Sequence, residues 1–422
     1  GKFFASGLKI DTIFDLKNLS LPLEIKGKTV NAEVSRLKGS ASLHNNNLQH
    51  DITAKLLGGN VSAKGNLGLK EMNIDTVLGL EHIDLAWIQG IKKGDWIPVS
   101  GKLTGQLKIK GPLADKNVNI KPSGTLTASK LILGTGEKKN EFETARLTLK
   151  NSSVELTQAL LEIDKIKAAG VHLKKIKAQF RIRQNQIDLT EGRIWPKSGQ
   201  LKLAGSFQPS SGAYRLRFKG EKLKVEDFLQ QLAGPLNLEG KLTGVLPENS
   251  AGFPDIAKEL SGQVKINLHD GSLSELGALE TLLTILNPTT VLDAKNTGLN
   301  YKSLGGDFKI GKGLVHTDNL EMKSPQLNIQ VVGDANLAAD TINMQVKAMP
   351  LQMLDKVIKA IPLLGQILTG GKKGGLIETY FKVDGKLSEP NVTLQPHKSL
   401  IGKPGSILNE LFKIPGNLTG GK

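Results

Sequence analysis

The stretch Ala213-Tyr214-Arg215-Leu216-Arg217-Phe218-Lys219-Gly220 alternates apolar and basic side chains without a break. Successive side chains of a strand point to opposite faces, so Tyr214, Leu216 and Phe218 share one face and Arg215, Arg217 and Lys219 the other. A helix would scatter the same residues around its circumference. The stretch therefore reads as a half-buried strand, and it raises the question of what covers its apolar side.

The same alternation recurs along the chain. It is carried by Leu103, Leu107 and Ile109, by Phe180 and Ile182, by Leu201 and Leu203, and by Val264, Ile266 and Leu268. It continues with Phe308 and Ile310, with Leu327, Ile329 and Val331, and with Ile342, Met344 and Val346. Each run is bounded by Gly, Asn, Asp or Pro, which form turns. The pattern predicts a meander of antiparallel strands with one apolar and one polar face, and the lack of crossover helices excludes parallel βαβ units. With strands of about 8–10 residues it predicts roughly 25–30 of them. A sheet of that size must curl, split into stacked layers, or close. The expected fold class is mainly β: a long curled antiparallel sheet forming a groove from repeated modules, with a few short amphipathic helices. A sandwich whose apolar faces bury one another is the alternative.

Helical periodicity is confined to four segments. Ser272 to Asn287 has Ser272 and Glu275 spaced as a capping box, a leucine stripe, and Pro288 beyond its end. Val225 to Leu232 carries Glu226 and Asp227 in its first turn. Leu351 to Leu368 is longer and interrupted by Pro362, and Ile407 to Phe412 is the weakest. In the third, Leu354, Val357, Ile358 and Ile361 form an apolar stripe beside Lys356 and Lys359, a combination suited to an anionic lipid interface as well as to sealing a sheet end. The pentapeptide GKLTG occurs at Gly101 to Gly105 and again at Gly240 to Gly244, each time after a short apolar segment. The expected organisation is three modules, 1–115, 116–255 and 256–396, followed by a tail over 397–422.

Composition excludes several function classes. The 422 residues include no cysteine, so disulfides, thiolate metal sites and thiol nucleophiles are absent. Lys and Arg number 56 against 40 Asp and Glu, giving a formal net charge of +16. Only seven of those cations are arginines, and no run of stacking aromatics is interleaved with them on their own strand face, which argues against nucleic acid and for a solvated lysine face. His44, His50, His82, His172, His269, His316 and His397 are scattered without metal-ligand spacing, so no metal or cofactor is expected. No GxSxG elbow occurs, the glycine-lysine run after Gly365 does not match a phosphate loop, and no paired carboxylates mark a catalytic cleft. His269 with Asp270 reads as a strand end. No run of 18 apolar residues spans a bilayer. The start, GKFFASGLKIDT, has no signal-peptide core and already reads as strand from residue 7, so a longer protein with an N-terminal anchor is expected.

An ordered set of motifs lies in the last third. A leucine-rich helix is followed by the strand DFKIGKGLVHTDNL, by SPQLNIQVVG, by the strand DTINMQV, by a second amphipathic helix, and by VDGKLSEPNV. Over Gly262 to Pro396 this order resembles the C-terminal region of the AsmA-like family of bacterial envelope proteins. That resemblance implies a periplasmic β-groove of the lipid-transfer type and an inner-membrane anchor outside this chain. It also implies a part in phospholipid traffic between the inner and outer membranes of a Gram-negative envelope, without catalysis. By the same resemblance Phe308, Ile310, Leu327, Ile329, Val331, Ile342, Met344 and Val346 would line the groove. Alternation adds Phe180, Ile182, Leu201, Leu203, Leu216, Phe218, Val264 and Ile266 as lipid-facing candidates. The expected partners are phospholipid acyl chains and bacterial membranes. The alternative function is a structural or assembly factor that offers sheet edges to outer-membrane proteins.

Overall fold

The computed structural model describes residues 9–25, 28–90, 97–113, 121–134, 139–151, 157–168, 171–183, 185–229, 231–247, 253–274, 298–351 and 378–395. These residues are antiparallel sheet almost throughout, with 23 strands and no closure into a barrel. The chain divides into two compact units, Gly1–Leu223 and Lys224–Lys422.

The described residues of the first unit form an up-and-down meander of thirteen strands. They are β1 (Lys9–Ile25), β2 (Lys28–His44), β3 (Asn47–Leu56), β4 (Gly59–Gly68), β5 (Asn73–Asp84), β6 (Pro98–Pro112) and β7 (Lys121–Leu133). There follow β8 (Asn140–Asn151), β9 (Thr157–Ala168), β10 (Val171–Arg183), β11 (Gln186–Trp195), β12 (Gln200–Phe207) and β13 (Ala213–Glu221). Each pairs with the next in sequence. Two-residue hairpins set the register where the sequence supplies left-handed residues. Asn45 and Asn46 (φ 46° and 63°) turn β2 into β3, and Leu57 and Gly58 (φ 51° and 70°) turn β3 into β4. A short 3-10 helix, Leu85–Gly90, follows β5.

The two-residue strand β14 (Leu223–Lys224) spans the division between the units, and β15 (Leu232–Ala233) is the first strand wholly within the second. The second unit continues with β16 (Pro235–Val245), β17 (Ser261–Leu273), β18 (Leu299–Gly311), β19 (Leu314–Lys323), β20 (Leu327–Asn336), β21 (Thr341–Pro350), β22 (Thr379–Lys386) and β23 (Pro390–Leu394). From β16 onward each strand again pairs with its successor.

Two helical expectations are corrected. Ser272 and Leu273 are the last residues of β17, not the start of a helix: both pair across the sheet, Ser272 with Asn300 and Leu273 with Leu299. Ser274 follows as an exposed bend residue bonded to the Gln231 carbonyl, and the segment from Glu275 onward lies outside the described residues. Val225 to Leu232 supplies only the 3-10 turn Val225–Asp227, because Leu232 is already in β15, paired with Leu273. Conversely, the described residues include a six-residue helix, α1 (Phe253–Lys258), that periodicity did not predict. Most of the Leu351 to Leu368 segment, with Leu354, Lys356, Val357, Ile358, Lys359 and Ile361, lies outside the described residues, as does Ile407 to Phe412.

Candidate functional site

In an antiparallel ladder, directly opposed residues share a face, so the register shows what each face is made of. In the first unit one row crosses all thirteen strands: Leu16, Leu37, Ala54, Val61, Leu80, Gly105, Leu126, Leu147, Leu161, Ala178, Gly192, Leu203 and Phe218. Two residues along, a second does the same: Phe14, Gly39, Ile52, Ala63, Leu78, Leu107, Gly124, Leu149, Ala159, Phe180, Leu189, Gly205 and Leu216. A third runs from β5 to β13 through Ile83, Leu103, Ala128, Ala145, Ile163, Ile176, Ile194, Leu201 and Gly220. Every position in these rows is aliphatic, aromatic or glycine.

Three devices maintain this composition. Bulges reset the side-chain parity, so that Leu80 and Ile83 in β5 face the same way, as do Leu189 and Gly192 in β11. Glycines admit close strand approach: a Cβ on Gly124 (φ 138°) would lie 2.1 Å from the Gln106 carbonyl oxygen. Large side chains flank such glycines, as Leu107 and Leu149 flank Gly124, and cover the gap.

The face is apolar but not sealed. Apart from Ala159, Ala178 and Gly192, the members of the first two rows all keep solvent-accessible surface, and Leu16 is 46% exposed. A second sheet packed on them at about 10 Å would have buried such side chains. For the opening stretch, Tyr214, Leu216 and Phe218 are half-buried opposite Phe207, Gly205 and Leu203, whereas Arg215, Arg217 and Lys219 are exposed. Partial burial holds the Tyr214 hydroxyl above its ordinary pKa.

The opposite face carries the charges. The Arg36 guanidinium grips Asp15 with Nε–Oδ1 at 3.0 Å and Nη2–Oδ2 at 2.7 Å, and Lys108 and Lys110 both reach Asp75, at 3.2 and 3.4 Å. Hydrogen bonds from these cations hold both carboxyls below their ordinary pKa. On the outside of the second unit the His316 Nδ1 lies 2.9 Å from Asp334. Among the described residues no three His, Asp or Glu side chains converge as a metal site would need, and no helix is long and apolar enough to cross a membrane.

Within the second unit the apolar face recurs, with a different degree of cover. The row Leu236, Leu268, Leu304, Met322, Ile329, Ala348 and Thr379 is buried apart from Leu304. The row Leu242, Gly262, Ile310, Val315, Ala335, Ile342, Gly385 and Pro390 is mostly half-exposed. The bulge between Thr317 and Leu320 keeps both halves of β19 on this face.

The register gathers the sequence-proposed lining residues onto one face in each unit. Phe180, Ile182, Leu201, Leu203, Leu216 and Phe218 lie together in the first, all half-buried. Val264, Ile266, Phe308, Ile310, Val331, Ile342 and Met344 lie together in the second, also half-buried, while Leu327, Ile329 and Val346 are 2%, 7% and 6% exposed. Sequence reasoning left Leu78, Leu126, Leu147, Leu149, Leu161 and Leu189 out of the lining, although the same alternation marks most of them. Leu189 and Gly192 needed the bulge to be known first.

No curated protein and no solved structure matches the chain. The family described as YhdP protein matches it over residues 98–392, which take in strands of both units and most of the rows above. The chain accordingly belongs to that family, an AsmA-like family of the bacterial envelope.

Proposed function

We propose that this chain is a non-enzymatic conduit that carries phospholipid between the inner and outer membranes of a Gram-negative bacterium, its apolar face lying in the periplasm. The observation that carries this reading is the pair of rows that cross thirteen strands without a polar side chain while remaining open to solvent. At about 4.8 Å per strand the rows run on the order of 60 Å across the unit. That is long enough for successive acyl chains end to end. An acyl chain of about 15 methylenes is destabilised in water by on the order of 12 kcal/mol, and a hydrocarbon wall removes most of that barrier to transfer. The charged outer face keeps the exterior wetted.

The test is lipid capture. Photoreactive side chains placed at Leu126, Leu161 and Phe218 should crosslink co-purifying phospholipid, and the same group at Lys108 or Arg217 should not. Equal capture on both faces, or none on the apolar one, defeats the reading. A second reading, strand addition to outer-membrane protein clients, draws support from β1, which pairs with β2 and no other strand among the described residues. Ile10 and Ile13 on β1 are 48% and 89% exposed. It predicts crosslinks from β1 to protein rather than to lipid.

A further inference from the structure

Next to the apolar rows of the first unit runs a fourth: Thr12, Ala41, His50, Gly65, Thr76, Ile109 and Pro122. His50 is the only histidine that these four rows carry. It lies on β3 and Thr76 on β5, separated by Gly65 of β4, and the two side chains meet over the glycine with Nε2 and Oγ1 3.0 Å apart. The close approach depends on Gly65, because a Cβ there would lie 2.8 Å from the Thr76 hydroxyl. Thr76 is 5% exposed, while the imidazole is half-buried. Leu48, Ile52, Ile74 and Leu78 flank the pair on the same face, while Asp51 and Asp75, adjacent in sequence, lie on the opposite face and pair with lysines there.

Packing alone does not call for this pair. Valine would fill the position of Thr76 at the same size, and the neighbouring rows manage with leucine and glycine. The Thr76 hydroxyl is satisfied by the ring, but Nδ1 of His50 has no partner among the described residues. When the hydroxyl donates to Nε2, the neutral ring carries its proton on Nδ1 and offers one donor. A hydrocarbon chain lying across that donor would strip its water and leave it unpaired, which is unfavourable. An oxygen-rich polar end lying there would satisfy it.

Resting on the lipid reading above, we propose that His50, backed by Thr76, receives the phosphate end of a phospholipid whose acyl chains run along the neighbouring rows. The pair then fixes the position of the lipid on the wall: the head lies over β3–β5, and the tails extend across Leu78, Leu107 and Leu126. Thr76 acts as a positioning residue that orients the ring, and His50 makes the contact.

The experiment uses the full chain and vesicles of phosphatidylethanolamine and phosphatidylglycerol doped with one of two photoreactive phospholipids, labelled in the head group or at the acyl terminus. In the native chain the head-group probe should label the segment 47–84 preferentially. The double substitution His50→Phe with Thr76→Val should lower that labelling about tenfold, the loss expected of one hydrogen bond to a charged acceptor. Acyl-probe labelling near Leu107 and Leu126 should persist. His50→Gln, which keeps a donor, should restore part of the head-group signal, a rescue that a purely structural role would not give. It also serves if the double variant fails to fold. Head-group labelling spread evenly over the face, or unchanged in both variants while acyl labelling persists, overturns the proposal and leaves the conduit standing. Absence of acyl labelling in the native chain overturns the conduit itself.

Discussion

Leu203→Arg separates folding from lipid occupancy. Leu203 lies between Gly192 and Phe218 in a row that keeps solvent-accessible surface, so an arginine there can lay its stem along the wall and leave its head in water. The loss of fold stability should stay near the usual 1–2 kcal/mol of a half-buried substitution. With an acyl chain over the same spot the guanidinium faces hydrocarbon, which disfavours binding by about 2.5–3.5 kcal/mol on insertion scales. Losing the leucine contact adds roughly 1 kcal/mol. Together these predict a fall in lipid occupancy on the order of 10²–10³. Native mass spectrometry of the purified variant, with circular dichroism and a melting curve as the folding control, reads both quantities. Lys202→Ala, on the opposite face, should leave occupancy unchanged. A folded Leu203→Arg protein that retains native amounts of lipid would refute the assignment of this face. Ile329 is a poor substitute for this test: at 7% exposure a charge there would unfold the second unit before lipid was in question.

Gly124→Val should lower stability by about 2–4 kcal/mol, since it adds a Cβ 2.1 Å from a carbonyl oxygen at a φ of 138° that branched residues avoid. Gly68→Val, whose nearest contact would be 3.7 Å away, should change the melting temperature little. The carboxyls of Asp11, Asp15, Asp75 and Asp84 are held below 3.8 and those of Glu141, Glu221 and Glu321 below 4.5, in each case first by hydrogen bonds from neighbouring side chains. Their contribution is present above the unfolded values and lost as pH falls through the folded ones. The melting temperature should therefore be flat near neutrality and decline below about pH 4.5, less steeply in high salt. Tyr301, buried and donating to the Ala233 carbonyl at 2.7 Å, is raised to about 12, mainly by desolvation. Its contribution holds below pH 10 and disappears between 10 and about 12, and Tyr301→Phe should remove one late step from a phenolate absorbance titration. Trp87 buries an indole N–H that has no partner among the described residues. Trp87→Phe should thus differ from native by less than about 1 kcal/mol, while Trp87→Ala should lose about 2 kcal/mol or more in denaturant melts.

Alternation was enough to read the strands and their antiparallel order, because a period of two is visible one strand at a time. It gave the opening stretch its two faces and placed Leu203 with Phe218 before any pairing was known. What alternation cannot carry is information that exists only between strands. The bulges at Leu80/Ile83, Leu189/Gly192 and Thr317/Leu320 depend on which partner lies opposite. The burial of Leu327, Ile329 and Val346 depends on what lies over the sheet. Ser272 fits a capping box by local spacing, yet its pairing with Asn300 keeps it in a strand, a tertiary preference overriding a local one. The His50–Thr76 bond joins residues 26 positions apart across an intervening glycine, and no local pattern announces it.

These between-strand devices explain how so long a face stays free of charge. A wall thirteen strands long is only as apolar as its least faithful strand, and β11 illustrates the hazard. With strict alternation through Leu189, Glu191 and Arg193, two charged side chains would stand beside the Leu203 row. The bulge inserts one extra residue, turns Gly192 and Ile194 inward and sends Arg193 outward, where it pairs with Glu191. A bulge disrupts the ladder and leaves one residue unpaired, so it is not the cheapest way to build a strand. Its presence where alternation would have broken the row ties the backbone irregularity to the chemistry of the wall, and makes register, rather than any single side chain, the feature on which an open hydrocarbon surface depends.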